Sequence, residues 1–513
     1  MQLIPLLCSL WTQIALTGAI MDQAYRLLSV ADYSAIVKFY SLALIAVLSL
    51  AISSHSSGQQ NARSDANEFY VSADAQPGGD GSQPSPFLRL AEAESVTAAG
   101  DTIFLLASSQ DKILDGGIEL KPGQKLLGVG ANGQLQDRSG ERVKLTNSGD
   151  SVIVQLSLNN EIAGIHFMNM SNYAISGADT DYSGAYIHHA SFSGNAVQHI
   201  EDERGVVYAV SFNGVEGALD NIRIEDSSFF DGEDLGAIRV FHSGASSGRY
   251  LFQRNTFTDL GGRAYFVRTR NSSFVETVIL DSTANNIGRG NRNSDSIIPY
   301  LMGQSEQIML VKNYHFNNTK QEGNQSNTGI EAFMFGYPRT DEANFCTACK
   351  LTFKIIDSVI ENAYSDSIQF SNSGVNSDLN YEIRNTKIIG GNPQQGGGGI
   401  SLNLQSVADS GSRTTLLVEN TDIIGTSGYG FAMNNRGGGD ISATADFGGG
   451  ALGSIGHNRF SDNARGEIRV TGKQISASNN WWGGNNPTIY NADNVVTTDS
   501  KVVYTPVLTE NPR

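Results

Sequence analysis

The chain has 513 residues, a formal net charge of −17 and only 17% charged residues. The acidic balance argues against nucleic acid as a partner, because binding phosphate groups requires a basic surface. Glycine is abundant (56 residues) and proline is scarce (11 residues), so the chain is rich in turns without being a proline-rich linker. Excess carboxylates can simply keep a protein soluble, or they can build Ca²⁺ sites, and both alternatives stay open. No sequence pattern indicates that the protein requires a cofactor.

The first 57 residues predict a leader. Lys38 precedes an apolar run from Phe39 to Ile52 that ends in small polar residues, as in a secretory signal peptide. Another apolar segment, Leu3 to Met21, lies upstream, so either translation starts near Lys38 or both segments tether the protein to a membrane. We favour the first alternative. It predicts an exported protein with no stable membrane insertion after cleavage, and residues 58–67 then form a polar linker.

The predicted folded domain covers residues 68–510. Glu68–Ser72 alternates as a strand does. The segment Phe87–Thr97 that follows has helical spacing, with one side formed by Phe87, Leu90, Ala91 and Val96. A short amphipathic helix at this place can cover the open end of a repeat structure, where core residues and strand edges would otherwise be exposed.

From residue 222 onward, a short alternating strand that ends in Asn or Asp recurs. Its predicted corner residues are Asp226, Asn255, Asn313, Asp357, Asn385, Asn420 and Asn458. A second short strand follows most of them, as in Ala237–Val240, Ser367–Phe370, Gly399–Leu402 and Glu467–Val470. Asn and Asp suit corners because they tolerate left-handed backbone conformations. Two strands and a polar corner per repeat predict a solenoid, since a β-sandwich would not return the same unit so often.

The second strand of each repeat carries the predicted binding residues. Alternation leaves an outward row of Arg239, Gln369, Ser401, Asn403 and Arg469. The parity around residues 265–270 is ambiguous, but Arg268, Arg270 or both must be exposed. Arg and Asn side chains suit hydrogen bonding to sugar carboxylates and hydroxyls, so we predict substrate binding by Arg239, Arg268, Arg270 and Asn403. The alternative is a solvated sheet face without a ligand.

Positive charge is concentrated between residues 239 and 292. The arginines there are Arg239, Arg249, Arg254, Arg263, Arg268, Arg270, Arg289 and Arg292. They predict a basic groove for an acidic glycan, unless they pair with the nearby acidic residues. An earlier repeat contains groups that could act as acid, base or metal ligand, namely His188, His189, His199 and Glu201–Arg204.

Cys346 and Cys349 have C-x-x-C spacing. No second cysteine pair or nearby histidine completes a zinc site, and the βαβ context of a thioredoxin-type motif is missing. In an exported protein, the pair predicts a disulfide that closes the loop from Tyr337 to Phe353.

The two ends of the predicted domain resemble a known superfamily. Tyr70-Val71-Ser72, Gly78-Gly79-Asp80-Gly81, the short helix and Ala99-Gly100-Asp101-Thr102-Ile103 resemble the opening of secreted right-handed parallel β-helix proteins of the pectin lyase-like superfamily. The closing segment of many bacterial members is similar to Asn479–Gly483 and Val502–Leu508. The resemblance implies an all-β, right-handed parallel β-helix with an N-terminal capping helix.

The resemblance leaves the activity open. Asn420-Thr421-Asp422 copies the first motif of polygalacturonases, but their later motifs do not follow, and the Trp-Ile-Asp-His block of pectate lyases is absent. Superfamily members include lyases, hydrolases, esterases and non-catalytic surface proteins. One hypothesis is therefore an exported protein that recognises, with or without cleaving, an acidic polysaccharide along its solenoid face. The alternative is a non-catalytic bacterial surface or adhesin-type protein, and the oligomeric state stays open.

Overall fold

The computed structural model describes residues 66–130, 134–135, 142–149, 151–178, 180–194, 207–288, 295–318, 328–334, 345–391, 397–405, 411–436, 441–470, 473–484, 486–490 and 502–512. The predicted leader and most of the predicted linker lie outside these residues. Among the helices of the described ranges, none combines the length and the apolar character needed to cross a membrane.

Three long parallel sheets wind into one coil. Sheet 1 contains β1 Glu68–Ser72, β2 Thr102–Leu106, β5 Lys125–Val129, β8 Glu161–Ala163, β11 Tyr186–His188, β14 Ala218–Glu225, β17 Ser247–Gln253, β20 Phe274–Leu280, β23 Glu306–Lys312, β26 Lys350–Ile356, β29 Asp378–Arg384, β32 Arg413–Glu419, β35 Ser442–Asp446, β38 Ile475–Ser476 and β40 Val502–Val503. Sheet 2 contains β3 Leu114–Asp115, β6 Val143–Thr146, β9 Ile165–Met168, β12 Ser191–Ser193, β15 Ser228–Gly232, β18 Thr256–Leu260, β21 Thr283–Ile287, β24 His315–Asn317, β27 Val359–Glu361, β30 Lys387–Ile389, β33 Asp422–Ile424 and β36 Arg459–Ser461. Sheet 3 contains β4 Ile118–Glu119, β7 Val154–Gln155, β10 Ile175–Gly177, β13 Val207–Gly214, β16 Leu235–His242, β19 Tyr265–Thr269, β22 Ile297–Leu301, β25 Ile330–Met334, β28 Ile368–Asn372, β31 Ile400–Gln405, β34 Tyr429–Arg436, β37 Gly466–Arg469 and β39 Ile489–Tyr490.

The predicted parallel β-helix solenoid is confirmed, but the prediction of two strands per repeat is wrong. From β2 to β37, each lap passes through sheet 1, sheet 2 and sheet 3 in turn. The strands of sheet 2 are short, as Val359–Glu361 and Lys387–Ile389 show, and they begin just after the corner. Such a short strand has too few alternating positions to be separated by pattern from the strand before it.

The corner between sheet 1 and sheet 2 has the same construction lap after lap. It contains two residues, and the first has a left-handed backbone, as in Asp226 (φ 50°), Asn385 (φ 50°) and Asn420 (φ 48°). The prediction was one residue late at Asn255 and Asn458, because Arg254 (φ 54°) and His457 (φ 60°) take the left-handed position. Asn255 and Asn458 instead point into the protein and are fully buried.

These second corner residues form a ladder of buried hydrogen bonds. Asn458 Oδ1 accepts from the backbone N–H of Thr421 at 2.9 Å, and its Nδ2 donates to the carbonyls of Val418 at 3.1 Å and Phe447 at 2.8 Å. In the next lap, Asn480 Oδ1 accepts from the backbone N–H of Asn458 at 2.9 Å. The buried side-chain amides of Asn458 and Asn480 thus connect each lap to its neighbours by hydrogen bonds.

Asn458→Ala is expected to lower the free energy of unfolding by at least about 2 kcal/mol, because buried donors and acceptors lose their partners. Urea unfolding followed by circular dichroism measures the change. The matched control is His457→Asn at the adjacent exposed position, where stability should hold or rise slightly because Asn tolerates the left-handed conformation. Equal losses of unfolding free energy in Asn458→Ala and His457→Asn would contradict a stabilising role for the buried hydrogen bonds of Asn458.

Stacked apolar side chains fill the interior. In sheet 2, the ring of Phe192 lies 5.1 Å from that of Phe167 and 4.5 Å from that of Phe229, and Phe229 lies 5.1 Å from Phe257. All four side chains are fully buried. Phe460 stacks on Trp482 at 4.6 Å near the other end of the coil. Stacked rings add to the stabilisation that burial of apolar surface already gives.

A short helix, α1, lies near the N-terminal end, spans Leu90–Val96 and contacts β1 and β4. It is shorter than the predicted segment, and its buried side is different. Leu90 and Ala93 are buried, whereas Ala91 is exposed and Val96 is 52% exposed. Phe87 is buried as predicted, but it pairs with Val71 as a β-bridge ahead of the helix. The helix begins at Leu90, three residues later than predicted, which explains why spacing counted from Phe87 selected the wrong positions.

A buried histidine links a turn to the core. His242 Nε2 lies 2.6 Å from the hydroxyl of Tyr250, and His242 Nδ1 lies 2.9 Å from Ser246 Oγ. Gly214 and Gly248 leave room for the ring, since a Cβ at either would lie within 2.6 Å of it. Burial lowers the pKa of His242 to about 4.

The thermal midpoint is therefore expected to fall as the pH drops from 6.5 towards 4. The unfolded histidine binds a proton near pH 6.5 while the folded one does not, so stability is lost as the pH falls through this window. Differential scanning calorimetry at both ends of the window measures the slope in the wild type and in His242→Gln, which should show a shallower slope. Burial lowers the pKa of His166 to about 4 as well, so the thermal midpoint of His242→Gln should still depend on pH to some extent. Identical slopes would exclude His242 as a contributor.

Candidate functional site

In the central laps, the variation in loop length lies beside sheet 3. From β11 to β33, two residues join sheet 1 to sheet 2 in every lap. The connections into sheet 3 range from two residues between β15 and β16 to thirteen between β12 and β13, and those leaving it reach fifteen between β25 and β26. Loops carry binding and catalytic residues more often than regular elements do. Sheet 3 is therefore the first place to search for a site.

Two rows of outward side chains run across sheet 3 from lap to lap. Row A consists of Ser211, Arg239, Phe266, Ile298, Glu331, Gln369, Ser401, Ala432 and Arg469. Row B, two residues further along each strand, includes Asn213, Phe241, Arg268, Tyr300, Asn403 and Asn434. The residues between the rows, such as Val240 and Leu402, are buried in the core. The predicted outward row is thus reproduced, although Ser401 is only 3% exposed.

Arg239 lies on β16, is half-buried and is held by neutral groups. Its Nη1 donates to Ser211 Oγ at 3.1 Å and to Asn213 Oδ1 at 3.0 Å, with the hydroxyl of Tyr173 at 3.5 Å. No carboxylate of the described ranges lies within 4.0 Å of this guanidinium. Arg239 therefore keeps a positive charge that these residues do not neutralise.

Arg268 lies on the next strand, in row B. Its guanidinium carbon is 5.3 Å from the ring centre of Phe241 and 5.4 Å from that of Tyr300. The guanidinium carbon of Arg239 is 5.2 Å from the same Phe241 ring, so two arginines flank one aromatic side chain. Arg268 Nη2 also lies 3.4 Å from Met302 Sδ. Cation–π contacts of this kind fix guanidinium groups in place.

The structure resolves the ambiguous parity around Arg268 and Arg270. Tyr265 and Val267 point into the core, which places Phe266 and Arg268 outside. Arg270 follows the end of β19, is half-buried, and its backbone N–H donates to the carbonyl of His242 at 2.9 Å. It belongs to the turn beside the face and not to either row.

A polar part of the face lies towards the C-terminal end. Asn434 Nδ2 donates to Asn403 Oδ1 at 2.8 Å, and Arg469 Nη1 donates to Asn434 Oδ1. The guanidinium carbon of Arg469 lies 5.9 Å from the ring centre of Tyr429. Asn403 is thus in the same row as Arg268, three strands beyond Tyr300 in the order of sheet 3.

A second apolar cluster, separate from the core, packs on the outer face of sheet 3. It consists of Tyr173, Tyr208, Phe266, Ile298, Tyr300 and Met302, each no more than 7% exposed. Arg263 belongs to this layer, since its Nη1 donates to the hydroxyl of Tyr208 at 2.8 Å and its guanidinium carbon lies 4.6 Å from the ring centre of Phe266. Sequence alternation predicted only polar groups here and missed the aromatic residues, although Phe241, Phe266 and Tyr300 share the parity of the arginines.

The predicted basic cluster is not one groove. Arg249 lies on sheet 1 and pairs with Asp220 at 2.8 Å and with Glu276 at 3.2 Å. Arg254 takes the corner and pairs with Glu225 at 3.0 Å and Asp226 at 2.7 Å. Arg289 and Arg292 lie outside the described residues. Arg239, Arg263 and Arg268 remain on sheet 3, because the coil assigns successive segments of the chain to different faces.

The predicted histidine cluster lies on sheet 1, away from these rows. His188 Nε2 is 3.2 Å from Glu161 Oε1, and the Nδ1 atoms of His188 and His189 are 2.8 Å apart. The hydrogen bond from His188, with Lys125 at 2.8 Å, lowers the pKa of Glu161 to about 2. His199 and Glu201–Arg204 lie outside the described residues.

Cys346 and Cys349 are fully buried and joined by a disulfide. Over the ranges that the structure describes, no group of three or more His, Cys, Asp or Glu side chains could hold a metal ion. The Ca²⁺ alternative stays a prediction.

Comparison with known proteins gives a partial family match and several folds of the same kind. A family model described as a protein of unknown function (DUF1565) matches residues 281–489. No curated protein matches the chain. Among solved structures, the chain is similar to a GH136 lacto-N-biosidase from Eubacterium ramulus, with a TM-score of 0.33, 9% identity and coverage of 85% of this chain and 68% of that one.

Two further structures are similar at the same level. XylC in complex with xylose has a TM-score of 0.36 and 9% identity, and the match covers 81% of this chain and 86% of that one. The A-module of the mannuronan C-5 epimerase AlgE4 from Azotobacter vinelandii has a TM-score of 0.29 and 13% identity, with coverage of 69% and 91%.

The fold class follows from the structure of the chain. Three parallel sheets follow one another from β2 to β37, a two-residue left-handed corner joins the first two from β11 to β33, and buried amides and rings stack along the coil. These features make the chain a parallel β-helix protein, and both ends of its sequence resemble the pectin lyase-like superfamily.

Proposed function

We propose that this protein binds an acidic polysaccharide along the outer face of sheet 3. The observation that carries the proposal is the pair Arg239 and Arg268 on either side of Phe241. Guanidinium groups bind carboxylates in bidentate fashion, and an aromatic ring between them offers an apolar surface for a sugar ring. Parallel strands stacked along the coil extend this surface in one direction, as a polymer requires.

The proposal is limited to recognition without cleavage, and one observation favours this limit. Within the described positions of rows A and B, Glu331 is the one carboxylate. Glycoside hydrolysis usually employs two carboxyl groups about 5–9.5 Å apart. A face with a single acid suits binding better than hydrolysis, so catalysis is not part of the proposal.

A screen of uronate polymers tests the function. Isothermal titration calorimetry with polygalacturonate, alginate and gellan measures binding, with Ca²⁺ and with a chelator in parallel. Ultraviolet absorbance of unsaturated products and a reducing-end assay detect lyase and hydrolase activity. Binding of at least one polymer supports the proposal; turnover would give the enzyme hypothesis first place, and no binding to any acidic polymer would refute the proposal.

We also propose that the protein is exported, because the run from Phe39 to Ile52 has the composition of a signal peptide. N-terminal sequencing of the protein from the culture medium or a periplasmic extract should show a start after residue 52. A cytosolic protein that retains the run would contradict export without affecting the binding proposal.

A further inference from the structure

A cavity of about 540 Å³ opens beside the proposed binding face, where the chain leaves sheet 3 and enters sheet 1. Its walls are residues 213–219, which contain the turn between β13 and β14, and Thr180 and Asp181 from the preceding lap. Binding sites for small ligands typically have volumes of about 300–1,000 Å³. The cavity therefore has room for a sugar ring.

Hydrogen bonds to the next lap hold the turn that forms this cavity. The carbonyl of Gly214 accepts from the backbone N–H of Ser243 at 2.8 Å, and the carbonyl of Gly217 accepts from the backbone N–H of Ser247 at 2.8 Å. A wall that is fixed in this way does not have to be ordered when a ligand binds, which lowers the cost of binding.

Asn213 connects the cavity to Arg239. Its Oδ1 accepts a hydrogen bond from Arg239 Nη1 at 3.0 Å, and the same residue lines the cavity. Arg239 and Asn213 are both half-buried, so a ligand can reach from one to the other without crossing the buried side chains of the later strands. A sugar carboxylate on Arg239 would thus place the adjoining sugar at the cavity.

The cavity combines two carboxylates with an exposed apolar side chain. Asp181 and Glu216 are exposed, and neither has an ion-pair partner within 4.0 Å among the described residues. Val215, in the same turn, is 59% exposed, the largest fraction for a large hydrophobic side chain in the described ranges. Carboxylates accept hydrogen bonds from hydroxyl groups, and an apolar side chain can pack against the C–H groups of a sugar ring. A negatively charged sugar would instead be repelled here.

We propose that the cavity binds an uncharged sugar joined directly to the uronate that Arg239 holds, so that the ligand is an acidic heteropolysaccharide with a neutral sugar beside its uronate. This inference rests on the proposed function and specifies its substrate class. The carboxylate of the uronate contacts Arg239, and hydroxyl groups of the neutral sugar donate to Asp181 and Glu216. A polymer of uronate alone is disfavoured, because its next carboxylate would lie against these two acids.

Two tetrasaccharides provide the probes. The repeat of deacylated gellan has one uronate among neutral sugars, and tetragalacturonate has a uronate at every position. Calorimetry should show that the wild type binds the gellan tetrasaccharide about tenfold more tightly than tetragalacturonate. In Asp181→Asn/Glu216→Gln, tetragalacturonate should bind about tenfold more tightly than it does to the wild type, because the repulsion is removed, whereas affinity for the gellan tetrasaccharide should not rise.

The matched control is Glu306→Gln/Asp378→Asn, which removes two carboxylates from sheet 1. It changes the net charge by the same amount as the cavity variant and should keep the preference of the wild type. Thermal midpoints show whether both variants are folded.

Each other outcome counts against the inference. Equal affinity of the wild type for the two tetrasaccharides, or an undiminished preference in Asp181→Asn/Glu216→Gln, would overturn the neutral sugar in the cavity while leaving Arg239-dependent binding intact. An equal change in Glu306→Gln/Asp378→Asn would attribute the preference to net charge and overturn it as well. Absence of binding to every acidic probe would remove the proposed function too.

Discussion

Arg239→Ala is expected to weaken binding of an acidic polysaccharide by about 5-fold to 30-fold, equivalent to about 1–2 kcal/mol. A fully desolvated charge pair can be worth more, and an exposed one less than about 1 kcal/mol; Arg239 is half-buried and lies between these limits. The effect should shrink at high salt, because the contact is ionic. Calorimetric titrations at two salt concentrations measure both quantities.

Arg249→Ala is the matched control for this experiment. Arg249 is a more exposed arginine on sheet 1 and already pairs with Asp220 and Glu276. Its removal changes the net charge by the same amount as Arg239→Ala but should leave affinity unchanged within error. If both variants lost affinity equally, overall charge would explain the binding, and the face on sheet 3 would have no special role.

Phe229→Ala is expected to lower the free energy of unfolding by about 3–5 kcal/mol, the usual cost of removing a buried aromatic side chain. The ring of Phe229 lies between those of Phe192 and Phe257 and is completely buried, so neighbouring laps must collapse around the cavity or leave it empty. Urea unfolding followed by circular dichroism gives the change, and hydrogen exchange shows whether the loosening centres on these laps.

The adjacent residue offers a control of the same type. Phe230 lies on the same strand, points to the opposite side and is only partly buried, with its ring 5.6 Å from that of His166. Phe230→Ala should cost about 1 kcal/mol or less, since little surface and few contacts are lost. Similar costs for the two variants would mean that the ring stack in sheet 2 does not stabilise the coil.

The solenoid could be predicted from the sequence because each repeat is marked by features of a few neighbouring residues. Asp226 and Asn385 mark corners through their own conformational preferences, and alternation assigned Val240 and Leu402 to the interior. Arg254 and His457 were missed at the corner because Arg and His adopt a left-handed backbone less routinely than Asn and Asp do. The buried ladder positions of Asn255 and Asn458 depend on hydrogen bonds between laps, which a local pattern does not contain.

The candidate site was predicted less completely, for a related reason. Alternation within one strand placed Arg239 and Asn403 outside, but it could not show which residue of the next lap lies beside them. The neighbours Phe241, Arg268 and Tyr300 depend on register across loops of unequal length. Arg249 and Arg239 are close in the chain yet lie on different sheets. The concentration of arginines in the sequence therefore overestimated the number that lie on one face.

From β11 to β33, the corner between sheets 1 and 2 has a fixed length, whereas the connections beside sheet 3 vary. An added residue at this corner would displace the left-handed position and break the amide ladder, whereas the connections of sheet 3 already range from two to fifteen residues. Loops beside sheet 3 can therefore be exchanged one lap at a time without disturbing neighbouring laps. The architecture allows ligand preference to diverge, or to be engineered, in units of a single lap.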